Sequence, residues 1–256
     1  MDEVVSIKNL GKTYSRKVIF RDVNIDIKRG SPVVLMGSNG CGKSTLLKIV
    51  VGALLPTKGE VKHNADIKTA FVPDRFPKLP FTVESYLMHM GEIQGVARSQ
   101  VDAYMDEYFE YLNMPYDFRK TKISKCSKGT IQKVNILQAL ITKPDLLVMD
   151  EPFSGLDEAS EHGLLKLILN LSVEGVALVI ACHEKELAQK ITRNVYVFEN
   201  KTLVAQQNDF VEQYRVEFIN SENGKHGDVI ASKEELQKTL KGLLERGLEV
   251  YGVNQI

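Results

Sequence analysis

Apolar residues recur along the chain with two different periods. Residues 4–9 form a short β-branched run, and Val23, Ile25 and Ile27 alternate with polar neighbours ahead of the Arg29-Gly30 turn; both predict strands. Residues 32–36 are continuously apolar and stop at Gly37, which predicts a strand covered on both faces. Over 43–55 the spacing of Leu46, Leu47, Ile49, Val50 and Leu54 predicts a helix that Pro56 ends. Residues 60–72 predict short strands. Pro73, Pro77 and Pro80 then exclude regular helix. Beyond them the helical period holds over 83–94 (behind a cap at Thr82), 99–113 and 128–142. Compact apolar runs return at 146–149 and 176–181, each followed by a helical pattern, at 160–171 and 184–190. Strands alternating with helices predict a parallel sheet with helices on its faces.

The texture changes near Asp209. Residues 215–219 and 228–231 predict strands, Ser232 with Glu235 makes a capping box for a helix that Gly247 ends, and 248–253 predicts a last strand. The expected organisation is one domain over 1–208, with a mostly helical insert at about 74–143, and a small α+β extension over 209–256.

The chemistry is concentrated where the first buried run ends. Gly37, Ser38, Asn39, Gly40, Cys41, Gly42, Lys43, Ser44 and Thr45 match the pattern G-x-x-x-x-G-K-[ST] in full. Phosphate oxygens need many donors in a small volume. Glycines let successive backbone N–H groups turn inward, and a helix starting near Lys43 adds its positive end. Lys43 would supply charge to the β- and γ-phosphates of ATP, and Ser44 a hydroxyl to Mg²⁺. The strand at 146–149 leads into Asp150 and Glu151. Asp150 at the carboxyl edge of the sheet could hold Mg²⁺ through water, and Glu151 stands where a base could polarise an attacking water.

Composition adds mainly exclusions. At 256 residues, 43% hydrophobic and 26% charged, the chain has the profile of a globular protein. Lys plus Arg balances Asp plus Glu at 33 each, and no basic run points to nucleic acid. The longest apolar stretches fall well short of the roughly 20 residues a spanning helix needs, and the N-terminus has no signal-peptide pattern. Cys41, Cys126 and Cys182 lack metal-ligand spacing, which predicts reduced thiols in a cytoplasmic protein.

Over roughly residues 1–205 this order of motifs resembles the ATP-binding subunit of an ABC transporter. The resemblance implies a P-loop NTPase core with a parallel sheet, an N-terminal antiparallel β subdomain and a helical insert subdomain. Pro152-Phe153-Ser154-Gly155-Leu156-Asp157 resembles the family's D-loop, and His183 its switch histidine, which contacts the γ-phosphate. Tyr14 falls where the family stacks an aromatic on adenine; an edge-strand tyrosine is the alternative. The signature Leu-Ser-Gly-Gly-Gln is altered to Cys126-Ser127-Lys128-Gly129-Thr130, keeping Ser127 and Gly129. In the family these reach the γ-phosphate bound by the opposite subunit, which implies a head-to-tail dimer with a second copy or a paralogous subunit. Lys128 in place of glycine could supply charge there. Asp74 replaces the Q-loop glutamine and could approach Mg²⁺ through water.

The acid at 74 and the lysine in the signature resemble peptide and drug exporter subunits, with a separate multi-span membrane permease as partner. The segment holding Asp74, Phe76, Phe81 and Tyr86 is then a docking cleft, or else a plain linker. Two other readings share the motifs: an ABC ATPase with a non-transport task, such as an assembly factor, and a regulatory ATP-binding module with weak turnover.

Overall fold

The computed structural model describes residues 3–206, 211–220 and 224–256. The chain divides into two compact units, Met1–Asn208 and Asp209–Ile256.

In the first unit, β1 (Glu3–Tyr14), β2 (Lys17–Lys28) and β4 (Lys58–His63) form an antiparallel sheet in the order β2-β1-β4. β1 is longer than its sequence pattern predicts. Register shifts between Ile7 and Leu10, and again near Lys12, interrupt the two-residue period and hide its second half. A second sheet runs β5-β6-β7-β3-β8-β9, built from β3 (Val33–Met36), β5 (Thr69–Val72), β6 (Leu146–Asp150), β7 (Ala177–Ala181), β8 (Val195–Glu199) and β9 (Thr202–Gln206). All its pairs are parallel except β8 with β9. The mixed architecture is the one expected, an α/β core beside an antiparallel sheet.

A large apolar cluster lies on one face of this second sheet, whose central strands are buried on both. Val33, Leu35, Leu146, Val148, Ala177, Val179 and Ala181, every second residue of three adjacent strands, pack with Leu46, Leu47 and Ile49 of α1 (Lys43–Val50) and with Val5, Ile7, Phe20 and Ile25 of the antiparallel sheet. The helix α1 is shorter than predicted because Gly52, at φ 74°, turns the chain out of the helix before Leu54. Register sets the functional ends of the strands: Leu35 pairs with Ala181, and Ala181 with Asp150. These residues form one row across β3, β7 and β6.

The insert contains α2 (Val83–Ile93), α3 (Arg98–Tyr111) and α4 (Lys128–Leu140). Thr82 caps α2 as expected, its hydroxyl accepting from Ser85 N–H at 3.1 Å. The buried guanidinium of Arg119 ties the insert together, donating to Asp102 and Asp106 and lying 4.6 Å from the Tyr116 ring. Helices α5 (Glu158–Val173) and α6 (Lys185–Ile191) follow β6 and β7.

The second unit is an antiparallel sheet, β11-β10-β12, of β10 (Gln213–Asn220), β11 (His226–Ser232) and β12 (Leu248–Gln255), with α7 (Leu236–Glu245) packed on β11 and β12. The Ser232 hydroxyl donates to Glu235 Oε2 and accepts from Glu235 N–H, which is not the reciprocal bonding of the expected capping box, and the helix starts after both residues. Their bonds close the turn that leads into α7 rather than its first turn.

Candidate active site

The loop between β3 and α1 is built on backbone that side chains would block. Gly37 has φ 146°, and a Cβ there would stand 2.8 Å from Cys41 Sγ. Gly42 has φ 120°, and a Cβ would press Ile19 and Phe20 at 3.0 Å. Free of those side chains, the loop turns directly into α1, whose first intrahelical bond runs from Leu46 N–H to the Gly42 carbonyl. The N–H groups of Lys43, Ser44 and Thr45 precede that bond and carry the positive end of the helix.

Lys43 is 6% exposed, and its ammonium donates to the Gly37 carbonyl at 2.7 Å. It also lies 3.5 Å from Glu151 Oε1. Opposite stands Asp150, 3% exposed, with the Ser44 hydroxyl beside it. Burial pushes its carboxyl above the usual range and Asp74 and Glu151 push the same way, while Ser44 and Lys43 oppose them. One of its oxygens, Oδ1, is buried with no hydrogen-bond partner.

Glu151 sits in the left-handed region at φ 50°, its N–H donating to the Ala181 carbonyl at 3.0 Å. Its carboxylate bridges two cationic or donor groups: Oε2 lies 2.8 Å from His183 Nδ1, while Oε1 faces Lys43. The neighbouring Cys182 is buried, and that burial pushes its thiol up to about 12, which leaves it chemically inert at neutral pH.

A cleft of about 210 Å³ is lined by Ser38, Asn39, Gly40, Gly42, Lys43, Ser44 and Thr45 from the loop, together with Asp74, Asp150 and Glu151. Ile19 of β2 also lines it; sequence reasoning missed this residue, which lacks any motif and lies against Gly42 of the loop. Gly37 and Cys41 back the loop, and His183 joins the site through Glu151. Tyr14 does not line the cleft. It lies at the end of β1, 44% exposed, with the Lys12 ammonium 4.8 Å over its ring.

Ser127 and Gly129 also stand apart from the cleft, at the start of α4. Ser127 is the N-cap, its hydroxyl accepting from Thr130 N–H at 3.1 Å. Gly129 approaches the Gly155 carbonyl so closely that a methyl group would overlap it. Lys128 does not project as a spare charge, the role its sequence position allowed. Its ammonium donates to Ser154 Oγ in the same chain at 2.8 Å. Farther along α4, the buried amide of Asn135 donates to the Pro73 carbonyl at 2.7 Å and so holds the base of the loop carrying Asp74.

The family model described as ABC transporter matches residues 20–154. The ABC transporter ATP-binding protein YhaQ of Bacillus subtilis is 25% identical over 254 residues, 94% of this chain and 82% of that protein. The zinc import ATP-binding protein ZnuC of Vibrio vulnificus (strain YJ016) is 30% identical over 203 residues, 78% of this chain and 75% of that protein. Among solved structures, the dimeric post-hydrolysis state of the ATP-binding cassette MJ0796, bound to ADP and Pi, has a TM-score of 0.71 at 23% identity and covers 79% of this chain and 98% of that one. That likeness is one of fold. With the family model spanning more than half of the residues and the ZnuC identity reaching across three quarters of that protein, the chain belongs to the ABC transporter family, as an ATP-binding subunit and an ATPase.

Proposed function

We propose that this chain hydrolyses ATP at the cleft with Glu151 as general base, and does so as half of a dimer that drives a separate membrane permease. The observation that carries the reading is the bridged Glu151 carboxylate, held between Lys43 and His183 above the phosphate loop. The loop N–H groups and Lys43 bind the β- and γ-phosphates. His183 donates from Nδ1 to Glu151 and so aims the other carboxylate oxygen at an attacking water beside the γ-phosphate; Glu151 accepts the proton as the water attacks. Tyr14 is assigned to adenine stacking.

The residues present fit Mg²⁺. The orphaned Oδ1 of Asp150 and the hydroxyl of Ser44 are hard oxygen donors within one cleft, with Asp74 on its rim. Bound there, the ion would neutralise phosphate charge. Asp150 and Ser44 would hold it directly or through water, and Asp74 through water.

Ser127 and the first-turn N–H groups of α4 lie outside the cleft of their own chain, as a composite site requires, and would meet the γ-phosphate held by a partner copy or paralogue. ATP then contributes contacts to both subunits and favours the closed dimer, which hydrolysis reopens. The permease docks on the segment after β5, where Phe76 packs edge-on against Tyr86 at 5.5 Å and Phe81 stands exposed. No helix among the described residues is long and apolar enough to cross a membrane, so attachment at the cytoplasmic face goes through that partner.

Two readings of the cargo remain distinct. Peptide or drug export drew on Asp74 and Lys128, and the bond from Lys128 to Ser154 gives that lysine a task within the chain. Relatives named for zinc import favour metal uptake instead. Reconstituted vesicles holding the permease would separate them by zinc entry or peptide exit. For the dimer itself, Glu151→Gln with saturating Mg²⁺-ATP is expected to double its mass in light scattering. A monomer under those conditions sinks the composite site.

A further inference from the structure

The first turns of α4 and the loop that follows Glu151 meet at successive places. Gln132, buried, donates to the Pro152 carbonyl at 3.3 Å. Lys133, also buried, lies 3.8 Å from Asp157 Oδ2. Gly129 abuts Gly155. The Gln132 contact is interior and belongs to the folded packing of the unit, whereas Gly155 and Asp157 are exposed. The bond from Lys128 to Ser154 lies at this exposed rim too and can open without disturbing a core. Its geometry is nonetheless specific. The lysine methylenes run alongside Gly155, 3.2 to 3.6 Å from where a Cβ would stand, and Gly155 itself holds φ 81°.

Ser154 connects this bond to the base. Its own backbone N–H donates to the Glu151 carbonyl at 3.1 Å. A continuous path therefore runs from the helix turn next to Ser127, through the Lys128 ammonium and Ser154, to the backbone of Glu151. Glu151 is itself in the left-handed region, so the turn after it holds the backbone that presents the carboxylate to Lys43 and His183.

We propose that Lys128 is a positioning residue for Glu151: its ammonium, bound to Ser154, fixes the turn after Glu151 to the first turn of α4. The inference rests on the reading of Glu151 as base and of Ser127 as the part facing a partner's nucleotide. On that reading, Lys128 links the half-site that a chain offers to its partner with the base it applies to its own ATP. The ammonium is spent within the chain and does not bind phosphate.

The test compares Lys128→Met, which keeps the stem and loses the donor, with Lys128→Arg, Ser154→Ala and the Lys128→Met/Ser154→Ala pair, all in the full chain. Lys128→Met is expected to lower kcat about tenfold with KM for ATP within about twofold, and Lys128→Arg to restore most of the rate. The double variant should be no slower than the slower single one. Hydrogen exchange of the peptide spanning 152–157 should accelerate in Lys128→Met while that of 37–45 stays unchanged. A rise in KM at constant kcat overturns the proposal, since it makes Lys128 a phosphate ligand. Additive losses in the double variant, or unchanged exchange at 152–157, overturn it equally. The exchange measurement needs no turnover. A wild-type chain that released no more phosphate than Lys43→Ala would sink the hydrolytic reading, and the tie from Lys128 to Ser154 would still be decided by exchange alone.

Discussion

The imidazole of His183 and the carboxylate of Glu151 are joined at 2.8 Å although each comes from a different strand end, β7 and β6. The same carboxylate reaches the Lys43 ammonium at 3.5 Å. The three side chains thus form one chain of contacts, which the proposed reading uses as base, orienting group and phosphate-binding cation.

Glu151→Gln keeps the size and the loop geometry but removes the proton acceptor. ATP binding by calorimetry is expected to persist while phosphate release falls by roughly 10²–10⁴. His183→Ala should fall less far, because Glu151 keeps its charge and loses only its aim. Lys43→Ala, which is expected to lose binding itself, is the background for both. Wild-type turnover in Glu151→Gln would remove it from the role of base.

Gly129→Ala places a methyl group into the Gly155 carbonyl. The loop over 152–157 must move away from α4, since neither atom is the end of a flexible side chain. Nucleotide binding at 37–45 should survive, and turnover should fall by about tenfold or more. Equal losses in binding and turnover would show a wider collapse than this contact predicts.

Asp157 caps α5, accepting from the Ser160 hydroxyl at 2.7 Å and from its N–H at 2.9 Å. The Ser160 hydroxyl first, and then its N–H, hold this carboxyl below the usual aspartate range. Its contribution to stability is therefore present above the unfolded value of 3.8 and is lost as pH falls through the lowered one. Asp157→Ala should cost about 1 kcal/mol at pH 7, as N-caps do. The gap from wild type should narrow only below about pH 4 in denaturant titrations. A gap that stayed constant down to pH 2 would assign the loss to packing instead of the ionised cap.

Phe76→Asp puts a charge against the ring of Tyr86 on the segment assigned to the permease. Recovery of membrane subunits in a pull-down should drop, with ATPase activity of the isolated chain within about twofold of wild type. Unchanged recovery would move the docking surface elsewhere.

Much of this was legible in the sequence because burial on both faces leaves a plain mark. β6 and β7 are buried at every position and read as short apolar runs, and the phosphate loop needs glycines at fixed spacing. Strands β8 and β9 escaped notice since their hairpin turns on Asn200 and Lys201, both at positive φ, with no glycine to announce it. Ile19 escaped because a cleft wall made by an adjacent strand has no local pattern. The tie from Lys128 to Ser154 was equally hidden. It depends on two glycines, 129 and 155, letting separate backbone segments approach, and neither spacing nor composition records that approach.

The row of Leu35, Ala181 and Asp150 across three strands gives the site a common datum. Gly37, His183 and Glu151 are each counted off from it by one or two residues. A single-residue insertion in β7 would advance His183 by about 3.3 Å and reverse the facing of its strand, while Lys43 and Asp150 stayed in place. A change of length is therefore excluded at these three strand ends, as it is in the phosphate loop, and both can change only by substitution.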